Sequence, residues 1–433
     1  MDVSDEVNRH YLDHVVATSE TQLVEASEDI LARNGMKLLA KGARIDANVR
    51  DRLLSHKLRK PLEECVRVTG GINLRLSQAA EQLLHASDAL HHLCGSRAES
   101  FVAAMRRVRL TQPVESLLTV YCEHRSDKLN HAVTVCLLAQ SLAAEVMRDR
   151  PEEAATLVLA GLLHDVGELY IDPAFLAKGV RLAPEQWRHI VTHPIVAHRL
   201  LKDMQGAGIA VAQAVLQHHE RLDGFGYPLR LQADKFTMNG QVLATAELLV
   251  GLIESGHPRP LTRASIAMKL IPGEFGRGFI NAISNAAHQE SASATIHNTT
   301  ELMMSSLPRV QRIQATLQRF RAGQETLIKQ MGVMSDKVKP VIAQGMDRLK
   351  SIQVAFSSTG MDAGRPEELI AQLCLQPDPH LHMELTTILR EIEWRLKELE
   401  RESMLRTQLA SPAEWPAIEQ LIHLMKGKAK SPA

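Results

Sequence analysis

The chain has 433 residues, and its 50 Lys and Arg balance 50 Asp and Glu, so its formal charge is zero at neutral pH. This balance argues against a protein that binds nucleic-acid polymers through a broad basic surface. Hydrophobic residues make up 45% and aromatic residues only 3%, a composition that favours helices packed by aliphatic side chains over β-sandwiches or barrels. We therefore predict a mainly α-helical globular protein with two or three domains.

The first region, residues 1–110, is predicted to be a small mixed α/β adaptor or regulatory element. Apolar runs flank Asn34-Gly35, and Asn-Gly between such runs is a strong signal for a β-hairpin. Apolar residues then recur every three or four positions over 48–58 and 73–93, which predicts two amphipathic helices. The region is thus expected to contain a hairpin followed by helices.

Neither the N-terminus nor any apolar stretch predicts membrane insertion. The first residues lack the apolar core of a signal peptide, and the longest nearly uncharged stretch, Ala154 to Leu163, is too short to span a bilayer. The five cysteines are scattered and form no CxxC pair, as expected for structural thiols in a reducing compartment. We therefore predict a cytoplasmic protein.

The second region, residues 111–287, is predicted to be a helical domain that contains most of the chemically unusual residues. His164-Asp165 ends an apolar helix, and other histidines stand on predicted helices before and after it. Imidazole and carboxylate groups without thiolates suit Mn, Fe or Zn in a catalytic site. The two oxygens of Asp165 could bridge two ions at the helix edge. The pattern predicts a metal site in the core of a helical bundle.

The third region, residues 288–433, has long helical periodicity but no motif that indicates its role. Its clearest feature is an apolar stripe on a charged helix, formed by Leu385, Ile388, Ile392, Leu396 and Leu399. Fewer than three heptads are sustained, so packing on the protein's own helices is favoured over an intermolecular coiled coil.

The central region resembles the HD-GYP group of the HD phosphohydrolase superfamily. The resemblance is carried by His164-Asp165-Val166-Gly167, by His193-Pro194, and by the run from His218 to Pro228, which keeps the pattern HHExxDGxGYP without a gap. It covers about residues 111–287. It implies an HD-domain helical bundle with two divalent metal ions, Fe or Mn, that hydrolyses the bacterial second messenger cyclic di-GMP to pGpG or GMP. A third metal ion is left open.

The resemblance also implies roles for individual residues. The implied metal ligands are His131, His164, Asp165, His193, His218, His219 and Glu247. His164 and Asp165 are also the implied catalytic pair. The implied substrate-binding residues are Glu220, Asp223, Gly224, Gly226, Tyr227 and Pro228. The Gly-Tyr-Pro loop is associated in the family with docking of partner proteins as well.

The sequence departs from the family pattern at several positions. Glu168 stands where the family usually has a lysine that can pair with the substrate phosphate, so we expect lower substrate affinity and reduced activity. Ala197 replaces a glycine, a change that we expect to be tolerated. Glu247 stands where the family has an aspartate, and its longer side chain can still reach a metal. Asp127, one turn before His131, is left open as a carboxylate for a third metal.

Two functions of different classes follow from this sequence. The first is a metal-dependent phosphodiesterase that acts on cyclic di-GMP; hydrolysis of another nucleotide by the same chemistry is a variant of it. The alternative is a degenerate domain that senses a nucleotide or serves as a protein-interaction scaffold without turnover. The predicted partners are a cyclic dinucleotide and signalling proteins at the Gly-Tyr-Pro loop or the helical flanks, with a homodimer left open.

Overall fold

Helices make up most of the chain, as the aliphatic composition predicts. The structure, a computed structural model, describes residues 6–177, 182–290, 299–332, 334–362, 364–375, 378–406, 411 and 414–426. It contains two compact units, Met1–Leu261 with Gly273–Glu290, and Thr262–Pro272 with Ser291–Ala433. The first unit includes both the predicted N-terminal region and most of the predicted central domain.

The N-terminal region has the mixed α/β structure that the sequence predicts. Its elements are α1 (Arg9–Thr18), β1 (Leu23–Ala26), β2 (Ile30–Leu31), β3 (Lys37–Leu39), α2 (Ala47–Leu54), α3 (Leu62–Cys65), β4 (Val66–Thr69), α4 (Ile72–Ala86), α5 (Asp88–Cys94) and α6 (Ala98–Arg107). Strands β2 and β3 pair in an antiparallel hairpin around Asn34-Gly35, and Gly35 has a positive φ of 87°. The predicted hairpin is therefore confirmed. Strand β1 pairs with the distant β4, which the sequence did not predict.

The helix predicted over 73–93 is two helices, because Ser87 interrupts it. The backbone of Ser87 is extended, and its Oγ accepts a hydrogen bond of 3.3 Å from the Leu90 amide at the start of α5. A serine side chain that binds nearby backbone competes with a continuous helix and favours a new N-terminus. The spacing of the apolar residues gives no indication of this break.

The central helices are arranged around one long buried helix. They are α7 (Gln112–His124), α8 (Lys128–Val146), α9 (Ala154–Leu163), α10 (Pro184–Ile190), α11 (His193–Leu201), α12 (Gly208–Leu216), α13 (Met238–Glu254), α14 (Pro260–Leu270), which continues into the second unit, and α15 (Arg277–Ala287). Short 3₁₀ helices lie at Gly95–Arg97, Pro151–Glu153, Val166–Tyr170 and Pro173–Phe175. Helix α8 packs against α7, α9, α13 and α15.

Helix α8 is also the one helix among the described residues that is long and apolar enough to cross a membrane. However, 61% of its apolar window is buried inside the protein, and the core helix of a globular protein passes the same test.

The N-terminal region packs directly on the central helices within the first unit. The amide of Val68 in β4 donates to the Ser116 hydroxyl in α7. The ring of Tyr11 in α1 stacks on Tyr170, with centroids 5.2 Å apart, and the Tyr170 hydroxyl donates to the buried Glu63 carboxylate. These contacts fix the 3₁₀ helix Val166–Tyr170 against the N-terminal region. The boundary at residue 110 between two separate domains stays a prediction.

Two histidines in this contact, the buried His14 and the half-buried His124, predict that stability depends on pH. The rings of His14 and His124 meet edge to face with centroids 3.9 Å apart, and neither Nε2 has a hydrogen-bond partner within the described ranges. Burial, aided by neighbouring positive groups, lowers the pKa of both from 6.5 to about 4. The unfolded chain therefore binds protons here at a higher pH than the folded chain does.

We expect the free energy of unfolding to be retained above about pH 6.5 and to fall as the pH drops from there to about 4. Urea unfolding at a series of pH values measures this slope. The double variant His14→Phe with His124→Phe should have a shallower slope, because no proton can bind at these positions. An identical slope in the variant would contradict the assignment.

The second unit is a bundle of helices around its own apolar core. Its further helices are α16 (Thr299–Met304), α17 (Leu307–Met331), α18 (Lys339–Ser357), α19 (Pro366–Leu375), α20 (Pro379–Arg406) and α21 (Trp415–Lys426). The core includes Leu317, Phe356 and two members of the predicted stripe, Leu385 and Ile392. Two more members, Ile388 and Leu396, are partly buried and pack against it. The stripe on α20 thus packs inside its own bundle, as the sequence favours.

Candidate metal centre

Six of the predicted ligands lie in or directly after four different helices, and they meet in one pocket together with Glu247. His131 lies in the first turn of α8, His164 and Asp165 directly follow α9, and His193 begins α11. His218 and His219 follow α12, and Glu247 lies on α13. The structure therefore brings together residues that are more than a hundred positions apart in the sequence.

The two oxygens of Asp165 face different groups of histidines. Its Oδ1 lies 3.3 Å from the Nε2 of His193 and 3.5 Å from that of His218. Its Oδ2 lies 3.7 Å from the Nε2 of His131 and 3.5 Å from that of His164. Side-chain ligand atoms form two groups within 4.8 Å, one of Asp165, His193, His218 and His219, and one of His131, His164 and Asp165. The arrangement offers two adjoining cation sites that share one carboxylate.

Local hydrogen bonds direct the Nε2 lone pairs of three histidines into the pocket. The Nδ1 of His164, His193 and His218 lies 2.6–2.8 Å from the backbone carbonyl of the residue three positions earlier. In a neutral imidazole this places the proton on Nδ1 and leaves Nε2 as an acceptor. The Nε2 atoms of His193 and His218 nevertheless lie only 3.0 Å apart. Facing lone pairs repel each other unless a cation lies between or beside them, so this geometry fits a metal ion.

Two glutamates of α13 complete the group around His131. Glu247 Oε2 lies 3.4 Å from His164 Nε2, is buried, and has no hydrogen-bond partner in the described part of the chain. Glu254 accepts a hydrogen bond of 3.0 Å from the Nδ1 of His131, as carboxylates commonly do behind a metal-ligating histidine. Burial alone would lower the pKa of His131, but the two glutamates together with Asp165 raise it to about 9. Glu254 was not predicted from the sequence, although its spacing of seven from Glu247 places both on one helix face.

The donor set as a whole fits divalent cations of the first transition series. It consists of imidazole nitrogens and carboxylate oxygens without thiolate, which suits Fe, Mn or Zn. Most of these groups are buried, so the positive charge of a bound ion would be poorly screened by water. The neighbouring Asp165 carboxyl has a pKa well below its usual range, since His164 and Lys128 outweigh the effect of burial. A charged Asp165 is the form that a cation requires.

Close contact between two backbone segments sets the distance from Asp165 to His193. A Cβ atom at Gly167 would clash with the backbone carbonyl of His193 and touch the Ala197 amide. The 3₁₀ helix that follows Asp165 can therefore lie against α11 only because residue 167 is glycine. Ala197 lies at this same contact, where a small side chain is accommodated.

We expect Gly167→Ala to lower both the metal content and the thermal stability of the protein, because the added methyl group must push α11 away from Asp165. A melting temperature lower by several degrees is the expected scale. Gly251→Ala is the matched control. Gly251 lies on α13 in the same unit, and a methyl group there meets no atom within 4 Å. Differential scanning calorimetry and metal analysis test the pair; equal behaviour of the two variants would contradict the prediction.

The loop after His219 is folded around the Glu220 side chain. Glu220 Oε1 accepts hydrogen bonds from the amides of Leu229 and Arg230, and its Oε2 accepts one from Leu231. Both oxygens are thus occupied by the loop, which favours a positioning role over the predicted direct contact with substrate. Asp223 Oδ1 likewise accepts from a loop amide, that of Phe225.

The remaining loop residues lie next to the histidines. The ring of Tyr227 stacks on His219 with centroids 4.5 Å apart, and Tyr227 is followed by a cis peptide bond to Pro228. Gly226 approaches the Glu220 backbone so closely that no other residue fits, and Gly224 has a positive φ of 76°. The loop therefore presents Tyr227 as its aromatic surface at the pocket, with contacts to substrate still a prediction.

Two acidic residues singled out in the sequence, Asp127 and Glu168, have basic partners. Both Asp127 oxygens bind the Arg125 guanidinium, at 2.7 and 3.1 Å, and Asp127 is absent from the ligand groups of the described residues. A role for Asp127 as a further metal ligand therefore has no support in the geometry. Glu168 forms an ion pair with Lys128, whose Nζ also lies 3.3 Å from Asp165 Oδ2. The negative charge at Glu168 is thus compensated by a lysine that was not among the residues predicted for the site.

Comparisons with known proteins agree with this geometry. Residues 110–277 match the family model described as an HD domain. The chain is 30% identical over 176 residues to a cyclic di-GMP phosphodiesterase of Pseudomonas aeruginosa, covering 40% of this chain and 39% of the relative. It is 25% identical over 200 residues to the cyclic di-GMP phosphodiesterase response regulator RpfG of Xanthomonas campestris, covering 46% and 53%.

A further relative is named for a different substrate. The 3'3'-cGAMP-specific phosphodiesterase 1 of Vibrio cholerae is 28% identical over 152 residues, covering 35% of each chain. The chain spans about half or less of the length of these curated relatives.

Proposed function

We propose, from the premise that the central part of this chain is an HD domain of the HD-GYP group, that the protein is a metal-dependent phosphodiesterase. Its proposed reaction is the hydrolysis of cyclic di-GMP to pGpG or GMP in bacterial signalling. The observation that carries the proposal is the Asp165 carboxylate placed between two groups of histidines, with Nε2 lone pairs directed at both of its oxygens. We place the activity in the cytoplasm.

The residues divide into those that would hold each ion. His131, His164 and Glu247 would bind one ion, His193, His218 and His219 the other, and Asp165 would bridge them. Two bound divalent ions would activate a water molecule and neutralise charge on the phosphodiester oxygens. The chain itself would keep the imidazole rings fixed by their Nδ1 hydrogen bonds. No covalent nucleophile from the protein is then required.

Fe or Mn is the proposed metal, and two ions are the proposed number. The mixed nitrogen and oxygen donor set supports these metals. The ion pair between Asp127 and Arg125 supports two ions over three, because Asp127 was the carboxylate considered for a third ion. The departure at Glu247 is compatible with metal binding, since its carboxylate reaches the pocket.

The Gly-Tyr-Pro loop would recognise the nucleotide. Tyr227 faces the pocket beside His219, and the Trp187 ring lies edge to face with Tyr227 at 6.2 Å. Aromatic side chains of this kind can stack on nucleobases. Signalling partners at this loop or at the helical flanks, and a homodimer, stay predictions.

The test of the proposed function is turnover by the full chain loaded with metal. The protein is purified without oxygen, supplied with Fe²⁺ or Mn²⁺, analysed for bound metal, and assayed with cyclic di-GMP and with 3'3'-cGAMP. We expect two bound ions and hydrolysis of cyclic di-GMP to pGpG or GMP. His56→Ala, at a partly exposed residue of the N-terminal region, is the control for histidine loss outside the pocket.

Other outcomes of this assay would change the proposed substrate, the proposed function or the proposed metal centre. Preferred hydrolysis of 3'3'-cGAMP would keep the chemistry and change the substrate. Two bound metal ions without turnover of either dinucleotide would favour the scaffold or nucleotide-sensing function. Absence of bound metal would overturn the metal centre itself.

A further inference from the structure

A buried lysine lies directly behind the candidate metal centre. The Lys128 ammonium forms an ion pair with Glu168 and lies 3.3 Å from Asp165 Oδ2. The three side chains are only 9%, 14% and 8% exposed, respectively. Charges this poorly solvated interact strongly with any ion held by Asp165.

We propose that Lys128 and Glu168 form a charge-matched pair that sets how tightly the adjoining centre holds its metal ions. The inference rests on the proposed function, because it requires cations at Asp165. Glu168 is absent from the two groups of metal donors among the described residues, and a protonated lysine offers no lone pair to a metal ion. Both act through Asp165 and are therefore positioning residues.

The charges around the pocket determine whether losing one member of the pair strengthens or weakens metal binding. Asp165, Glu247 and Glu254 supply three negative charges at or behind the histidines, and Glu168 adds a fourth one layer further out. The Lys128 ammonium cancels this fourth charge. At the same time it contacts the Asp165 oxygen that faces His131 and His164, so it competes with a cation for that oxygen.

Removing the negative partner alone leaves an uncompensated positive charge next to a cation site. In Glu168→Gln the lysine keeps Asp165 as its counter-ion among the described residues, so it should bind that carboxylate more strongly and repel a metal ion. Removing both charges, in Lys128→Met with Glu168→Gln, leaves no ammonium group to compete with a metal ion for Asp165. Metal affinity should therefore fall in the single variant and recover in the double variant. A purely structural contact would not give this recovery.

A structural contact would fasten α8 to the 3₁₀ helix Val166–Tyr170 and do nothing else. Loss of that contact would loosen the centre in the single variant and equally, or more, in the double variant. Recovery of metal affinity in the double variant is therefore the result that only charge balance explains.

The experiment measures Mn²⁺ binding to the full-length protein after removal of metal with a chelator. A chromophoric chelator competes for Mn²⁺ with wild type, Glu168→Gln, Glu168→Asp and the double variant, and circular dichroism checks the fold of each. We expect about tenfold weaker binding in Glu168→Gln and recovery to within about threefold of wild type in the double variant. Glu168→Asp keeps the charge and should bind like wild type.

Three results would overturn the inference. Unchanged affinity in Glu168→Gln, or a double variant no better than the single one, would overturn the charge-matched pair while leaving the metal centre in place. Failure of wild type to bind Mn²⁺ would overturn the metal centre and this inference together. Since the double variant keeps a neutral pair of similar size, its affinity is interpretable even where the single variant folds poorly.

Discussion

Replacing Asp165 by Asn is expected to remove most of the bound metal and to lower the hydrolysis of cyclic di-GMP by at least about a thousandfold. A neutral amide has one oxygen to offer, whereas the carboxylate directs one charged oxygen at each group of histidines. The substitution adds no bulk in a buried position, so we expect the helical fold to be kept. Metal analysis, turnover and circular dichroism of the same preparation measure the three effects.

The control for this variant is Asp203→Asn, which changes the same functional group on the surface of the first unit, where the side chain is 79% exposed. It should keep wild-type metal content and turnover. Full metal occupancy and activity in Asp165→Asn would remove Asp165 from the centre and would leave the proposed function without its main support.

Replacing Glu220 by Ala is expected to disorder the Gly-Tyr-Pro loop and to lower kcat/KM for cyclic di-GMP by about a hundredfold, with metal content unchanged. The side chain accepts three backbone hydrogen bonds, from Leu229, Arg230 and Leu231. Hydrogen bonds to a charged acceptor are strong ones, so their loss should also cost roughly 2–3 kcal/mol in the free energy of unfolding.

Hydrogen exchange of the loop amides separates this role from direct substrate contact. A positioning role predicts faster exchange at residues 229–231 in Glu220→Ala, in the absence of any nucleotide. Lower turnover with unchanged exchange would instead support the direct contact that the family resemblance implies. Glu185→Ala, an exposed acidic residue on α10, should leave both exchange and turnover as in wild type.

Much of the centre was predictable because its motifs are local. His164-Asp165, His193 and His218-His219 are each placed by the end or start of a helix, and the Nδ1 hydrogen bonds reach only three residues back. The sequence therefore determines both the type of each ligand and its orientation on its own element. The hairpin at Asn34-Gly35 was predictable for the same reason.

The features that the sequence left undecided depend on how distant elements cross. Lys128 and Glu168 are far apart in the chain and compensate each other only because α8 lies beside the 3₁₀ helix after α9. Strand β1 pairs with β4, which begins about forty residues after β1 ends. In contrast to the local motifs, such contacts carry no periodic signal along the chain.

By itself the sequence determined the helical composition, the hairpin and the residue types of the metal donors, because propensity, turn chemistry and motif spacing act over a few residues. Only the tertiary structure decided the charge environment of the centre: Arg125 takes Asp127, Lys128 compensates Glu168, and Glu254 supports His131. The physical reason is that electrostatic interactions depend on distance and burial in space, and packed helices set both.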